Sequence, residues 1–203
     1  MSASRRLLIV RHGETDHNAG GVWQGQLDIP LSDIGLEQAR AAGRAIAAYH
    51  PTRVVASDLA RAAITAQHVA EAAGVEVTHD PRWREIHVGR WQGLHTSEVR
   101  AEYADLLDQM DLADIRRGVD GETLAEVAER AGASLRELLD GLGEGECVVV
   151  VAHGVSSRAA VADRLGLEQH LATQALRTLG NCHWAELAEG RTGWQLSAWN
   201  ASA

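Results

Sequence analysis

Leu7-Leu8-Ile9-Val10-Arg11-His12-Gly13-Glu14 is an apolar run that ends on a histidine, and Val148-Val149-Val150-Val151-Ala152-His153-Gly154 repeats the arrangement far downstream. Short aliphatic runs of this kind, bounded by glycine, read as buried strands. Each then delivers a histidine to its carboxyl end. In an open α/β sheet, side-by-side strands present those ends at one edge, where ligands bind. Two imidazoles meeting there can share a phosphoryl group, one attacking phosphorus while the other steadies its oxygens.

Outward from these runs, helix and strand alternate. Residues 32–49 carry an apolar stripe of Leu36, Ala39, Gly43, Ile46 and Ala47, with Ser32 as cap and Leu31 and Leu36 at staple spacing. A strand is expected over 53–56. A helix follows over 58–73, with Gly74 as its stop. Residues 75–77 alternate like a strand, 122–142 and 155–165 read as helices, and 183–187 and 194–199 read as strands around a turn at 189–193. This order predicts an α/β fold, a three-layer α/β/α sandwich with a mostly parallel central sheet. Residues 89–121 are the least regular and are expected to form an insertion or lid over the active-site edge, within one domain spanning 1–203.

Composition narrows the functions. A formal net charge of −9 disfavours nonspecific nucleic-acid or anionic-membrane binding, so an anionic substrate must be held by a local cluster of Arg and His. No apolar stretch approaches the ~20 residues of a membrane span. The stretch 1–6 runs toward a strand without the apolar core of a signal peptide. The two cysteines, Cys147 at a strand start and Cys182 in a strand-like segment, lack metal-ligand spacing and read as reduced thiols of a cytoplasmic protein. The remaining histidines show no paired-ligand spacing either, so neither a metal nor another cofactor is expected.

His12 is the candidate nucleophile: a neutral imidazole attacks phosphorus when one nitrogen is held protonated, and a backbone carbonyl near Gly13 would fix that tautomer. Arg11 and Arg61 are the candidate phosphate clamp, since a guanidinium grips phosphate oxygens two at a time. The plain alternative for Arg61 is a surface arginine paired with Asp58. Glu85 is the candidate general acid and base, because a leaving alkoxide needs a proton and the like charge of a bound phosphate favours the protonated carboxyl. His153 is the candidate second phosphate ligand, protonated once a dianion binds, with Gly154 letting backbone approach the oxygens. Asn18 and Gln24, on a glycine-rich loop, are candidate substrate contacts. His87 is a further candidate, open between binding and structure. Trp83 and Trp91 are read as core in preference to cleft walls, and Arg116-Arg117 as a solvated face.

These residues resemble the histidine phosphatase superfamily, the phosphoglycerate mutase-like family. The resemblance runs through Arg11-His12-Gly13-Glu14-Thr15 with Asn18, Gly25-Gln26-Leu27-Asp28, Ser57-Asp58-Leu59 with Arg61, Arg84-Glu85 with Gly89, Trp91-Gln92-Gly93, and His153-Gly154. It implies a metal-independent phosphohistidine mechanism on His12, with Arg11, Arg61 and His153 holding phosphate and Glu85 donating the proton. Within the family the chain is similar to phosphatases of glucosyl-3-phosphoglycerate, through residues 24–28, 85–94, Gly180-Asn181 with Trp184, and Trp199-Asn200-Ala201-Ser202. It departs from the usual pattern at Val155, where a second glycine is usual, and at Asp120-Gly121-Glu122-Thr123. The expected substrate is a small phosphomonoester. The alternatives are a 2,3-bisphosphoglycerate-dependent phosphoglycerate mutase, a phosphatase for another sugar phosphate or α-ribazole phosphate, or a non-catalytic phospholigand-binding module. Similar proteins often form homodimers, which is the sole ground for expecting one here.

Overall fold

The computed structural model describes residues 4–203. The reading that no leader precedes the first strand rests in part on Met1, Ser2 and Ala3, which lie outside the described residues. In chain order the elements are β1 (Arg6–Arg11), α1 (Asp16–Ala19), α2 (Asp33–Ala47), β2 (Arg53–Ala56), α3 (Ala60–Ala73), β3 (Val77–His79), α4 (Thr96–Glu102) and α5 (Ala104–Met110). They continue with α6 (Leu124–Asp140), β4 (Cys147–Ala152), α7 (Gly154–Leu165), α8 (Gln169–Ala175), β5 (Trp184–Gly190) and β6 (Gly193–Ala201).

The strands form one sheet in the order β3-β2-β4-β1-β5-β6. β3, β2, β4 and β1 run parallel, whereas β5 is antiparallel to β1 and β6 to β5. Because side chains alternate across a strand, the inner strands β1, β2 and β4 feed two cores. Leu8, Val10, Val54, Val149 and Val151 pack with Ala39, Ile46, Ala62, Ala66 and Val69 of α2 and α3. Leu7, Ile9, Val55, Val148 and Val150 pack on the other face with Ala131, Leu135, Ala160 and Val161 of α6 and α7. Burial on both faces explains why β1 and β4 read as unbroken aliphatic runs. The result is a three-layer α/β/α sandwich with a mostly parallel sheet. None of the described helices is long and apolar enough to cross a membrane.

Residues 89–121 contain α4 and α5, and Val99 of α4 joins Ile86, Val88, Trp91, Leu124 and Val127 in a third cluster. This segment shares its core with α6 and with the stretch carrying Glu85. Trp83 and Trp91 are fully buried, in the second and third clusters respectively.

Several boundaries differ from the sequence reading for local reasons. The helix expected from residue 58 starts at Ala60, because Leu59 stays extended and the Ala60 N–H donates to Asp28 Oδ1 at 2.7 Å. The third strand lies at Val77–His79 and not 75–77, since Val54 pairs with Val77. The last hairpin turns at Arg191 and Thr192 alone, with Glu189 paired to Trp194. Cys182 lies in a turn with φ of 57° and not in a strand. Both cysteines are free and buried.

Candidate active site

The register of β1 on β4 sets the site. Arg11 lies opposite Ala152, and the His12 N–H donates to the Ala152 carbonyl at 3.0 Å, so both chains leave the sheet side by side. The rings of His12 and His153 then meet edge to face, with centroids 5.0 Å apart. The turn after His12 leans on the first turn of α2. A Cβ on Gly13 would come within 2.5 Å of the Gly35 carbonyl oxygen, which is why glycine is needed there.

His12 Nδ1 lies 2.6 Å from the Gly13 carbonyl oxygen. A carbonyl only accepts, so Nδ1 carries the proton and Nε2 keeps its lone pair. Burial, then Arg61 and Arg11, hold His12 well below the usual imidazole range, against a smaller upward pull from the Gly13 carbonyl. His153 is held well below it by burial, then Arg61, His12, Arg11 and Arg130. In the unliganded site both rings are therefore neutral at pH 7, so the protonated His153 expected from the sequence applies only once an anion arrives. His153 Nε2 lies 2.9 Å from Ser57 Oγ, a buried serine at the end of β2.

Two buried neutral histidines make stability depend on pH in one direction. Their folded values lie below the unfolded value near 6.5, so the unfolded chain takes up protons that the folded chain refuses. This contribution is complete above pH ~6.5 and is lost below it, by about 1.4 kcal/mol per pH unit per histidine. Thermal unfolding in a phosphate-free buffer is expected to give a midpoint that falls between pH 7 and 5, less steeply in His153→Gln. A midpoint flat across that window rejects the neutral pair.

Arg11, His12, Asn18, Gln24, Arg61 and Glu85 all line one cavity of about 320 Å³, together with His17, Trp23, Thr96 and Val155. Arg61 is buried, with 1% of its surface exposed, and is not a surface partner of Asp58, whose carboxylate binds Arg84 instead. Its Nη1 and Nη2 donate to the carbonyls of Leu27 and Gly25, at 2.7 and 2.8 Å, which locks the glycine-rich loop to α3. Burial brings Arg61 down to about 10, with Glu85 opposing, so it stays cationic at neutral pH. Arg11 donates through Nη1 to the Leu179 carbonyl at 2.7 Å. Asn18 Oδ1 accepts from the Thr15 N–H and from Asn181 Nδ2, and Gln24 Oε1 accepts from Thr15 Oγ1, so the oxygens of both amides are engaged.

Glu85 lines the same cavity. Its carboxylate accepts from the N–H groups of Ile86, Val155 and Ser156 at 2.9 to 3.2 Å, the last two belonging to the first turn of α7. Gly154 begins α7 beside the pocket; a Cβ there would meet Thr178 Cγ2 at 2.7 Å, so this glycine answers to Thr178 as well as to any ligand. Arg11 Nε, Arg61 Nε and His153 Nδ1 are buried without a hydrogen-bond partner. Unsatisfied buried polar atoms cost about 1–3 kcal/mol each. The two arginine nitrogens are donors, so the site is short of acceptors, as a site for an oxyanion should be.

One expected site residue is not brought here. His87 lines a separate pocket with Gln26, Arg116, Asp120 and Glu122. Its backbone pairs with Glu122, and its Nδ1 accepts from the Gly89 N–H at 3.2 Å, which turns the ring away from the cavity. Arg116 pairs with Glu126, while Arg117 is buried near Asp114; the latter is not a solvated face. The sequence reading gave no role to Ser57 or Arg130. Ser57 sat inside a quoted motif, whereas Arg130 looks like any polar residue on a helix.

A sequence profile of the histidine phosphatase superfamily (branch 1) matches residues 7–202. The chain belongs to the histidine phosphatase superfamily. Among curated members of this family, the glucosyl-3-phosphoglycerate phosphatase of Mycolicibacterium vanbaalenii is 39% identical over 218 residues, covering 98% of this chain and 96% of the relative. A protein of Serratia proteamaculans named "Probable phosphoglycerate mutase GpmB" is 35% identical over 195 residues, covering 96% of this chain and 89% of the relative. The structure of a mycobacterial glucosyl-3-phosphoglycerate phosphatase in complex with VO3 superposes with a TM-score of 0.90 at 38% identity, over 98% of this chain and all of that one. The superfamily fold therefore spans nearly the whole chain.

Proposed function

We propose that this protein hydrolyses small phosphomonoesters in two steps through His12. The observation that carries the reading is the fixed tautomer of a buried neutral imidazole, with buried arginine donors and a carboxylate lining the same cavity. In the first step His12 Nε2 attacks phosphorus, the bond to the leaving oxygen breaks, and that oxygen takes a proton from Glu85. In the second step Glu85 takes a proton from water, whose oxygen displaces His12 and releases inorganic phosphate. Arg11, Arg61 and His153 hold the equatorial oxygens through both steps, where charge stabilisation is the main catalytic contribution. Asn18 and Gln24 donate to the transferring group or to the remainder of the substrate.

The relatives' names make glucosyl-3-phosphoglycerate the first substrate to test. The resemblance to a phosphoglycerate mutase keeps a second reading in play, in which the product alcohol and not water accepts the phosphoryl group. Phosphate release from glucosyl-3-phosphoglycerate, 3-phosphoglycerate and common sugar phosphates, run beside a mutase assay, separates the two. Absence of turnover with every member of the panel and with α-ribazole phosphate, alongside tight binding of inorganic phosphate, would favour the phospholigand-binding module. Two free buried thiols support a cytoplasmic location.

No three His, Cys, Asp or Glu side chains among the described residues are grouped to hold a metal ion. Activity is accordingly expected to survive exhaustive dialysis against EDTA. A loss that a divalent ion restores would overturn the metal-independent route.

A further inference from the structure

We propose that Arg130 is a positioning residue for Glu85, acting through the main chain of the segment that carries it. The proposal rests on reading Glu85 as the proton donor and identifies what holds it in place. Arg130 projects from α6, and all five of its N–H donors are engaged in one task. Nε and Nη2 grip the two carboxylate oxygens of Glu122 at 2.8 and 2.9 Å. Nη1 donates to the carbonyls of Arg82 and Arg84, both at 2.7 Å, and Nη2 also donates to the carbonyl of Glu85 at 3.0 Å. Glu122 extends the grip, since its Oε2 accepts from the His87 N–H at 2.8 Å.

Arg130 on α6 thus holds the backbone up to and including Glu85, its partner Glu122 holds it beyond at His87, and the carboxylate accepts from Ile86 and the first turn of α7. Residues 84–88 lie in no helix or strand, so no ladder fixes their path. Backbone groups in such a stretch take the geometry their partners impose. A misplacement of about 1 Å at a catalytic group costs roughly 10²-fold. The contact also joins the end of the 89–121 segment to the carboxylate, because Glu122 pairs through its main chain with His87 and Arg117. A lysine offers three donors and no planar fork, so it can keep the charge but cannot serve three carbonyls and a carboxylate together.

The test compares kcat/KM for an alkyl phosphomonoester and for p-nitrophenyl phosphate, whose leaving group needs no proton, in Arg130→Met, Arg130→Lys, Glu122→Gln, Glu85→Gln and the Glu85→Gln/Arg130→Met double variant. Inhibition by inorganic phosphate is measured beside them. Arg130→Met is expected to lose roughly 10- to 100-fold on the alkyl substrate and to stay within about threefold on p-nitrophenyl phosphate. Arg130→Lys should not rescue, phosphate inhibition should hold within about threefold, and the double variant should be no worse than Glu85→Gln alone on the alkyl substrate. Equal losses on both substrates, additive losses in the double variant, or no loss at all would each overturn the proposal. If Glu85→Gln itself fails to discriminate the substrates, the acid role falls and this proposal with it. If Glu85→Gln discriminates and Arg130→Met does not, only this proposal falls. Should Arg130→Met lose its cooperative melting transition, Arg130→Lys and Glu122→Gln carry the same comparison.

Discussion

His12→Ala is expected to lower kcat by at least about 10⁴-fold on every phosphomonoester, because removing a covalent nucleophile deletes the reaction path and does not merely slow it. The variant should still fold. His12 sits at the end of a strand whose ladder is made by main-chain groups, and its side chain gives up one hydrogen bond, to Gly13. Inorganic phosphate should still bind, since Arg11, Arg61 and His153 remain. The check has two parts: steady-state turnover, and protein denatured at alkaline pH after mixing with substrate labelled in its phosphoryl group. Wild-type protein should carry label that is lost in acid and stable in base, as a phosphoramidate is, and His12→Ala should carry none. Turnover in the variant within about tenfold of wild type would remove His12 as the nucleophile.

Glu85→Gln separates proton delivery from phosphoryl transfer. Glutamine keeps the shape and an accepting oxygen for the N–H groups of Val155 and Ser156, so the wall of the cavity stays built. What it cannot do is release a proton to an alkoxide. General-acid help is typically worth ~10²–10⁴-fold where the leaving group needs it. The expected loss in kcat/KM is therefore of that order for alkyl and sugar phosphates and much smaller for p-nitrophenyl phosphate. Since kcat also contains the water step, in which Glu85 serves as base, kcat is expected to fall for both substrates. Equal losses in kcat/KM across the two leaving groups would take the acid role away from this residue.

The sandwich was legible because its inner strands are buried on both faces, and such strands write themselves as runs like Val148–Val151. The two histidines were legible for the same reason: His153 is the first polar residue past its run, and His12 follows Arg11 directly past the other. Edge elements were harder. β3 has three residues with only Val77 partly covered, so its position was set by pairing with β2 and not by pattern. α1 has four residues and α8 seven, too short for a 3.6-residue period to declare itself. Within the site, the motif around Glu85 drew His87 in with it, yet main-chain pairing with Glu122 turned that ring elsewhere. For Arg61 the sequence offered a clamp with a surface arginine as alternative, and could not show the burial, which depends on a loop more than thirty residues earlier in the chain. Arg130 was invisible because its partners are carbonyls, and carbonyls carry no letter in a sequence.

Neighbouring strands in a sheet lie about 4.8 Å apart, and the two imidazoles hang from neighbouring strands at matching register. The gauge of the phosphate slot therefore starts from the spacing of the peptide backbone, with the rings trimmed by Gly13 and Ser57. Descendants of this architecture can exchange lids, loops and leaving-group contacts freely while the slot keeps its width. A one-residue insertion within β1, by contrast, would swing its histidine to the opposite face of the sheet.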